Sequence, residues 1–562
     1  MRTLPFYLLV ALACGGASTT PTTPAPAPVP AAAEPAPAPV ARGRPNILFV
    51  LVDDLNMSGF DEASGLKPLL QDQGTTFDNA YVSVSICCPS RASMLRGQYG
   101  HNTGVMHTLG PNGGFRGFKN TGCESSTVAT WLNDQGYQTG LFGKYFNGYP
   151  FADDTSYVPP GWDYWAVPGK GEGYSSYNYS LNVNGQMEVH GQEAADHITD
   201  VVTGHAESFI RAASAADQPF LAWVAHFAPH VPATPPPRYQ GAVTGKAPRS
   251  TSFNESNLGD KPPFQQSLGL LTPAWEAGID EVYRHRRASM LGVVDSVDRM
   301  IKVLTETGEL DNTWIVFMSD NGYHMGEHRL PWGKNTAYEE DINVPLVVRG
   351  PGVPKGARVS SMVLNADIAV TFSDIAGVQP ADFVDGRSWK SLALGQTPST
   401  WRGGVFLAHE QAGSSAKEGG GGARPGGAGN GPPGGRGGRG GAGGGAGGGG
   451  GGGGQGGGGK LQAQGGGEQA SGGDAPVPDR FVIGERGNNF PAYVGVRTTR
   501  YTYVRYTGGH KELYDNQTDP AQMENIAATA SAALLASLDA AVDSLKDCKG
   551  PSCRSAEDNI PR

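Results

Sequence analysis

The chain has 562 residues, 38% of them hydrophobic, and a formal net charge of −10 at pH 7. This acidic balance excludes general nucleic-acid binding, which requires a basic surface. It does not exclude a local basic pocket for an anionic substrate. Because the length exceeds that of an ordinary domain, we expect a large α/β enzyme or more than one domain.

The N-terminal residues are typical of an export signal. Arg2 gives a positive start, and the apolar stretch from Leu4 to Ala13 is too short to span a bilayer. We predict a signal peptide at 1–13 and an extended tether at 14–44, where Pro, Ala and Thr dominate. Cys14 directly follows an Ala-Leu-Ala triplet. Two destinations stay open for the exported chain: a bacterial lipoprotein lipidated at Cys14, periplasmic or on the cell surface, or a secreted protein.

Continuous apolar runs and one long amphipathic stretch predict alternating strands and helices. The first run, Asn46 to Val52, predicts a buried central strand, and two acidic residues, Asp53 and Asp54, follow it. This alternation predicts an α/β layered fold, in which ligands gather beyond the carboxyl ends of the strands. Further predicted elements are helices at Thr127 to Gln135 and Tyr283 to Thr305, and strands at Thr139 to Phe142, Phe220 to Ala225, Trp314 to Met318 and Val344 to Arg349.

Residues 412–478 interrupt this pattern, because Gly dominates their composition. Such a segment cannot build a core, so we predict a disordered insertion. Strands are predicted on both sides, at Gly404 to His409, Val494 to Thr498 and Tyr501 to Tyr506, and a helix at Ala528 to Leu545. We therefore expect a catalytic domain at 45–403, a C-terminal α+β subdomain at 404–553 that contains the insertion, and a tail at 554–562.

The most informative segment is 87–97, Cys-Cys-Pro-Ser-Arg-Ala-Ser-Met-Leu-Arg-Gly. It resembles the signature of type I sulfatases: Cys-x-Pro-Ser-Arg, three free positions, Leu, one variable residue and Gly. In that family a maturase oxidises the first Cys to formylglycine, whose hydrated aldehyde attacks sulfur. The resemblance implies that Cys87 is the nucleophile precursor and that Cys88 occupies the free position. A motif match still requires its structural context.

The same resemblance implies a fold and a metal site. The fold would be alkaline-phosphatase-like, a large mixed sheet flanked by helices with a smaller C-terminal α+β subdomain. Asp53, Asp54, Asp320 and Asn321 follow predicted strands and form an all-oxygen donor set, which suits Ca²⁺ or Mg²⁺ better than zinc. By resemblance, these four and the oxidised Cys87 bind one divalent ion, usually calcium.

Further segments supply candidate catalytic side chains. By resemblance Arg91 supports the formylglycine, Lys144 and Lys334 contact sulfate, and either His230 or Lys334 protonates the leaving group. His226 competes with His230, and His324 and His328 have no assigned role. Many family members carry a His two residues after the Gly-Lys pair, where this chain has Phe146.

The remaining cysteines permit two disulfides in an exported protein. Cys548 and Cys553 bracket a turn-forming Lys-Gly-Pro-Ser segment and can close a small ring. Cys88 and Cys123 remain, because Cys14 is the lipidation candidate and Cys87 the formylglycine precursor. They either pair with each other or remain free buried thiols.

The Lys-Tyr-x-Asn pattern that begins at Lys144 is similar to the branch with N-acetylglucosamine-6-sulfatases, arylsulfatase-like members and extracellular heparan endosulfatases. We therefore expect an exported sulfuric ester hydrolase whose partners are a formylglycine-generating maturase and a sulfated sugar or aryl sulfate. Substrate specificity is expected in loops from Pro159 to Gly191, which are rich in aromatic residues and Asn. Two alternatives stay open: a phosphonate or phosphodiester hydrolase of the same fold, and an inactive protein that binds sulfated glycans.

Overall fold

In the computed structural model of the protein, the described residues are 43–152, 154–169, 172–410 and 490–560. The predicted signal peptide, the lipidation candidate Cys14, nearly all of the tether and the predicted Gly-rich insertion lie outside these ranges. Within them, we find no helix that is both long enough and apolar enough to cross a membrane.

A ten-stranded mixed sheet lies at the centre of the fold, and the strand predicted first lies in its middle. β1 (Asn46–Val52) is buried along its whole length and pairs in parallel with β8 and β9. The order of the sheet is β11-β2-β10-β9-β1-β8-β4-β5-β6-β7. In chain order the described strands are β1 Asn46–Val52, β2 Thr75–Phe77, β3 Ala80–Tyr81, β4 Gln138–Gly143, β5 Tyr164–Pro168, β6 Tyr179–Val183, β7 Gln186–His190, β8 Phe220–Ala225, β9 Thr313–Ser319, β10 Leu346–Arg349, β11 Ala357–Val359, β12 Val363–Leu364, β13 Gly404–His409, β14 Tyr493–Thr498, β15 Tyr501–Tyr506 and β16 Lys511–Asp515.

Helices cover both faces of this sheet. Alternate side chains of β1 point to opposite faces: Phe49 packs with α3, α6 and α11, and Val50 packs with α7 and α9. The described helices are α1 Met57–Glu62, α2 Leu66–Leu69, α3 Cys87–Arg96, α4 Gly100–Thr103, α5 Gly114–Asn120, α6 Val128–Asn133, α7 Ile198–Ala215, α8 Pro263–Gln266, α9 Pro273–Glu306, α10 Glu339–Ile342, α11 Asp367–Ala376, α12 Lys390–Ala393, α13 Ala532–Leu545 and α14 Pro551–Asp558. The predicted α/β fold with a large mixed sheet is confirmed.

Two segments of the main body differ from their predictions. α9 begins ten residues before the predicted Tyr283, because Pro273 occupies its first position and the Thr272 side chain caps it by accepting from the Trp275 amide. The segment from Pro159 to Gly191, predicted as loops, contains β5, β6 and β7. β6 and β7 are joined by Asn184-Gly185, both with positive φ, the pair that tight hairpins favour.

The C-terminal part forms a four-stranded antiparallel sheet in the order β13-β14-β15-β16. The last residue of β13, His409, pairs with Tyr493, the first residue of β14. A disulfide joins Cys548, just before α14, to Cys553 in the first turn of that helix. The prediction of a tail at 554–562 is wrong, because α14 extends through Asp558 and Glu557 on it is fully buried.

Candidate active site

Four polar residues meet where two neighbouring parallel strands end. Asp53 and Asp54 follow β1, and Asp320 and Asn321 follow β9; all four are buried. Asp54 has a φ of +67°, a left-handed conformation that Asp tolerates better than most residues. Its amide donates to Asp320 Oδ1 at 3.1 Å, so one carboxylate fixes the backbone that carries another.

Cys87 is the first residue of α3, the end of a helix at which the dipole favours negative charge. Its Sγ lies 3.4 Å from Asp53 Oδ1 and 2.8 Å from Lys334 Nζ. Arg91 returns to the same side of α3 one turn later. Its Nε donates to Asp320 Oδ2 at 2.8 Å, and its Nη1 donates to the Lys144 carbonyl oxygen at 2.8 Å.

Lys144 enters the site from the end of β4. The preceding Gly143 has a φ of +99°, and a Cβ there would lie 2.1 Å from the carbonyl oxygen of Ala225, so only Gly fits. The Lys144 amide donates to that same carbonyl oxygen at 2.7 Å. Its ammonium group forms an ion pair with Asp53 Oδ2.

His230 and Lys334 complete the group around Asp54. His230 Nδ1 lies 2.6 Å from the carbonyl oxygen of Val231, which can only accept, so Nδ1 carries a proton and Nε2 faces Asp54 Oδ2 at 3.6 Å. Lys334 Nζ donates to Asp54 Oδ1 at 2.5 Å. The His230 side chain is 21% exposed and the Lys334 side chain 10%, so His230 lies nearer to solvent.

The site balances three carboxylates against three cations in a buried volume. Burial would raise the pKa of Asp54, but the basic neighbours Lys334, His230 and Lys144 together outweigh it and hold that pKa well below its usual range. Burial and the neighbouring Asp53 carboxylate raise the pKa of Asp320 to about 6. Burial lowers the pKa of His230 to about 3, and burial raises the pKa of the Cys87 thiol far above its usual range.

The donor set fits a divalent cation that prefers oxygen. Single donor atoms of Asp53, Asp54, Cys87 and His230 all lie within 4.8 Å of one another. Asp54 Oδ2 and Asn321 Oδ1 are buried and make no hydrogen bond. Buried oxygens without donors are costly unless a cation or water satisfies them, and carboxylate and amide oxygens are the ligands that Ca²⁺ and Mg²⁺ prefer.

Two further residues border the site, and neither was predicted from the sequence. Arg286 of α9 donates through Nη1 to the Pro229 carbonyl oxygen at 3.0 Å and through Nη2 to the Asp54 carbonyl oxygen. Tyr174 places its ring centroid 4.5 Å from that of His230 and 4.9 Å from Lys144 Nζ. Arg286 shares a helix face with Met290 and Val293, and a charge on an apolar face was the signal available in the sequence.

Several other predicted candidates lie outside this group. His226 contacts Ser296 at 3.0 Å, His324 contacts Asp341 at 3.0 Å and His328 contacts Glu255 at 2.7 Å. Phe146, which departs from the family pattern, packs against Phe118.

Of the two alternatives for Cys88 and Cys123, the structure has the second, because both are free, buried thiols. The sulfur atoms have different partners. Cys88 Sγ accepts from the Asn147 amide at 3.3 Å, and Cys123 Sγ accepts from Thr121 Oγ1 at 3.2 Å.

Comparisons with known proteins agree with this geometry. A family model described as Sulfatase matches residues 45–378. The N-acetylglucosamine-6-sulfatase of Capra hircus is 36% identical over 383 residues, 67% of this chain and 68% of that protein. A putative extracellular sulfatase Sulf-1 homolog of Caenorhabditis elegans is 35% identical over 353 residues, 62% of this chain and 49% of that protein.

A solved structure is similar to almost the whole fold. It contains a protein in complex with its substrate, D-glucosamine-2-N,6-O-disulfate, and superposes with a TM-score of 0.63. The match covers 92% of this chain and 100% of that one at 20% sequence identity. At that identity the likeness establishes the fold.

Proposed function

We propose a mechanism and a substrate class for this chain from the premise that it belongs to the sulfatase family and is a sulfuric ester hydrolase. It hydrolyses the 6-sulfate of glucosamine-type sugars, using a formylglycine made from Cys87 and a divalent ion. The observation that carries the proposal is the position of Cys87 Sγ at the start of α3, beside Asp53 and Lys334.

Two groups complete the chemistry. Formylglycine supplies a hydroxyl nucleophile for sulfur, and a divalent cation, Ca²⁺ or Mg²⁺, supplies positive charge to the sulfate oxygens. Asp53, Asp54, Asp320 and Asn321 would hold the ion together with the oxidised side chain of residue 87. The unpartnered oxygens of Asp54 and Asn321 support this assignment.

The cations of the chain stabilise the charge that develops on the sulfuryl group. Lys144 and Lys334 carry ammonium groups beside the nucleophile position, and ion pairs with Asp53 and Asp54 keep both charged. Arg91 holds Asp320 and the Lys144 backbone in place, so it supports the nucleophile without facing the leaving group. Fixed donors of this kind favour the transition state because they need no reorganisation.

We assign proton donation to the leaving alcohol to His230. Lys334 Nζ lies 2.8 Å from Cys87 Sγ, next to the attacking atom, whereas in an in-line displacement the leaving oxygen departs on the opposite side. His230 is the more exposed of the two, as expected of a group beside the departing alcohol. The Nδ1 contact with Val231 directs Nε2 into the site. Because Nδ1 already carries a proton, Nε2 donates only from the imidazolium form, which burial disfavours and which the negative charges of Asp54 and the bound sulfate ester favour.

His230→Ala is expected to slow the enzyme by an amount that depends on the leaving group. With a sugar sulfate, whose alkoxide is a poor leaving group, kcat should fall by about 10²–10⁴-fold, the usual contribution of a general acid. With 4-nitrophenyl sulfate the loss should be much smaller, because that leaving group needs no proton. Steady-state rates on both esters check this, and equal losses on both would contradict the assignment.

We propose the substrate class from the relatives. The relative from Capra hircus is named an N-acetylglucosamine-6-sulfatase, and the solved structure holds a 6-sulfated glucosamine. Tyr174, half-buried beside His230, offers a ring face on which a sugar can stack.

The test is sulfate release by the full chain, coexpressed with a formylglycine-generating enzyme, from N-acetylglucosamine 6-sulfate, N-acetylglucosamine 3-sulfate and N-acetylgalactosamine 6-sulfate. We expect the first to have the highest kcat/KM. Preference for a different sugar would overturn the substrate class and leave the sulfatase assignment intact. Faster turnover of a phosphonate monoester would favour the phosphohydrolase alternative, and binding without turnover would favour the glycan-binding one.

We also propose that the chain is exported, as a lipoprotein anchored through Cys14 or as a secreted protein, and matured by a formylglycine-generating partner. The N-terminal pattern and the extracellular sulfatase name of the relative from Caenorhabditis elegans support export. Globomycin, which blocks lipoprotein signal cleavage, separates the two routes: precursor should accumulate only if Cys14 is lipidated.

A further inference from the structure

A second group of metal-binding side chains lies on the edge hairpin of the large sheet. Glu188 and His190 are two residues apart on β7 and therefore share one face of the strand. That face is turned to α7, from which His205 projects. His190 Nε2 lies 3.0 Å and His205 Nε2 lies 3.6 Å from the same atom, Glu188 Oε1.

The other ring nitrogen of each histidine is held by a separate side chain. His205 Nδ1 lies 2.9 Å from the hydroxyl of Tyr164, and His190 Nδ1 lies 3.4 Å from Asp196 Oδ1. The His190 ring also stacks on Tyr179, its cross-strand neighbour, at a centroid distance of 4.9 Å. Histidines that bind metals are oriented in this way, with Nδ1 fixed by an oxygen and Nε2 directed at the ion.

An ordinary hydrogen bond explains only part of this arrangement. His190 Nε2 is buried and makes no hydrogen bond, although the Glu188 carboxylate is at contact distance. A carboxylate oxygen and two imidazole nitrogens form a ligand set typical of zinc. With bonds of about 2.0–2.1 Å, tetrahedral zinc ligands lie about 3.3 Å apart, close to the two separations between Glu188 and the histidines.

We propose that His190, His205 and Glu188 form a zinc site with a water as the fourth ligand, separate from the active site. Among the described residues, the groups whose donor atoms already lie within 4.8 Å of one another are the active-site cluster and His101 with the Cys548–Cys553 pair. Glu188, His190 and His205 do not form such a group, so zinc binding requires a rotation of one imidazole ring that brings the two Nε2 atoms closer together. The position of Glu188 at the surface, 45% exposed, leaves room for it.

Such an ion would fasten the edge hairpin to α7. β7 is the last strand of the sheet and pairs only with β6 among the described strands, so little else holds its outer side. The chain that enters this hairpin carries Tyr174, which contacts His230. Zinc at this position would therefore stabilise one wall of the active site without contacting the substrate.

The experiment measures metal binding by the full chain after chelation and dialysis into excess Ca²⁺, which occupies the oxygen-rich active site. Wild type should bind one equivalent of Zn²⁺, and Co²⁺ as a probe should give the visible absorption of a tetrahedral ion that Zn²⁺ removes. His190→Ala and His205→Ala should each weaken Zn²⁺ binding by about 100-fold or more and abolish the cobalt signal. Tyr164→Phe should weaken binding by about 10–100-fold, the usual effect of losing a supporting hydrogen bond.

His285→Ala is the matched control, because His285 lies on α9 away from this cluster and should leave the zinc affinity unchanged. Circular dichroism of each variant establishes that it is folded. Wild type that binds no Zn²⁺ in the presence of Ca²⁺ would overturn the proposal. So would the same Zn²⁺ affinity in wild type and in the variant with both histidines replaced.

Discussion

Cys87→Ala is expected to abolish sulfate release, lowering kcat by about 10⁴-fold or more, because it removes the atom from which the nucleophile is made. Ala has the highest helix propensity, so α3 should form normally. Initial rates on 4-nitrophenyl sulfate and on the preferred sugar sulfate measure the loss. The thermal unfolding midpoint of the variant should stay within a few degrees of wild type.

Cys88→Ala is the matched control for this substitution. Cys88 is the adjacent residue and is also buried, but its Sγ contacts Asn147 rather than the carboxylates. We expect turnover to fall by less than about 10-fold, since only packing and weak sulfur hydrogen bonds to Asn147 and Thr108 are lost. A Cys87→Ala enzyme as active as Cys88→Ala would eliminate Cys87 as the nucleophile precursor.

The same samples distinguish the thiol from its oxidised form. Conversion of Cys87 to formylglycine removes the sulfur and two hydrogens and adds one oxygen, and mass spectrometry of the peptide that contains Cys87 detects this change. We expect activity to rise with the converted fraction when the maturase is coexpressed. Full activity in unconverted protein would contradict the formylglycine mechanism and leave the fold unaffected.

Arg402→Ala is expected to destabilise the protein by about 3–5 kcal/mol, the usual cost of removing one partner from a buried ion pair. Arg402 donates to both carboxylate oxygens of Asp367 at 2.7 Å and to Glu557 at 3.0 Å. All three side chains are fully buried. Without the guanidinium, two buried carboxylates lose their main counter-charge, and urea or thermal unfolding measures the cost.

The destabilisation should depend on pH in a defined direction. Burial already raises the pKa of Glu557, and loss of Arg402 would raise it further. The folded variant then takes up a proton that the unfolded chain has released, so its stability is greatest at low pH and falls as pH rises through the folded-state pKa. The difference from wild type should therefore be larger at pH 8 than at pH 5.

Arg500→Ala provides the comparison, because its partner Asp515 forms an exposed ion pair at the surface. Such pairs contribute little to stability, so we expect almost no change in the unfolding midpoint. If Arg402→Ala were as stable as Arg500→Ala, the three buried charges would not link α14 to the main body.

The elements whose bounds were predicted best from the sequence are strands that are buried along their whole length. β1 and β8 were predicted with their observed bounds, because both are fully buried strands formed by continuous apolar runs. The ends of β1 and β9 brought Asp53 and Asp320 together, since adjacent parallel strands end at one edge.

Other features depend on contacts that no local pattern encodes. Most side chains of β7 are exposed, so its sequence is typical of a loop. Only the pairing with β6 shows that it is a strand. Arg286 is a charge on the apolar face of α9, but its partner, the backbone of Asp54, is evident only in the folded structure. The choice between a disulfide and two free thiols for Cys88 and Cys123 depended on which neighbours each sulfur meets.

The pairing of His409 with Tyr493 determines where the length of this chain can vary without changing the C-terminal sheet. β13 ends and β14 begins at directly opposed positions, so the connection between these two strands takes the topological place of a hairpin loop. Closing such a connection costs entropy that grows only with the logarithm of its length. This end of β13 and β14 is therefore a point at which sequence can be gained, lost or exchanged while the register of the two strands is kept.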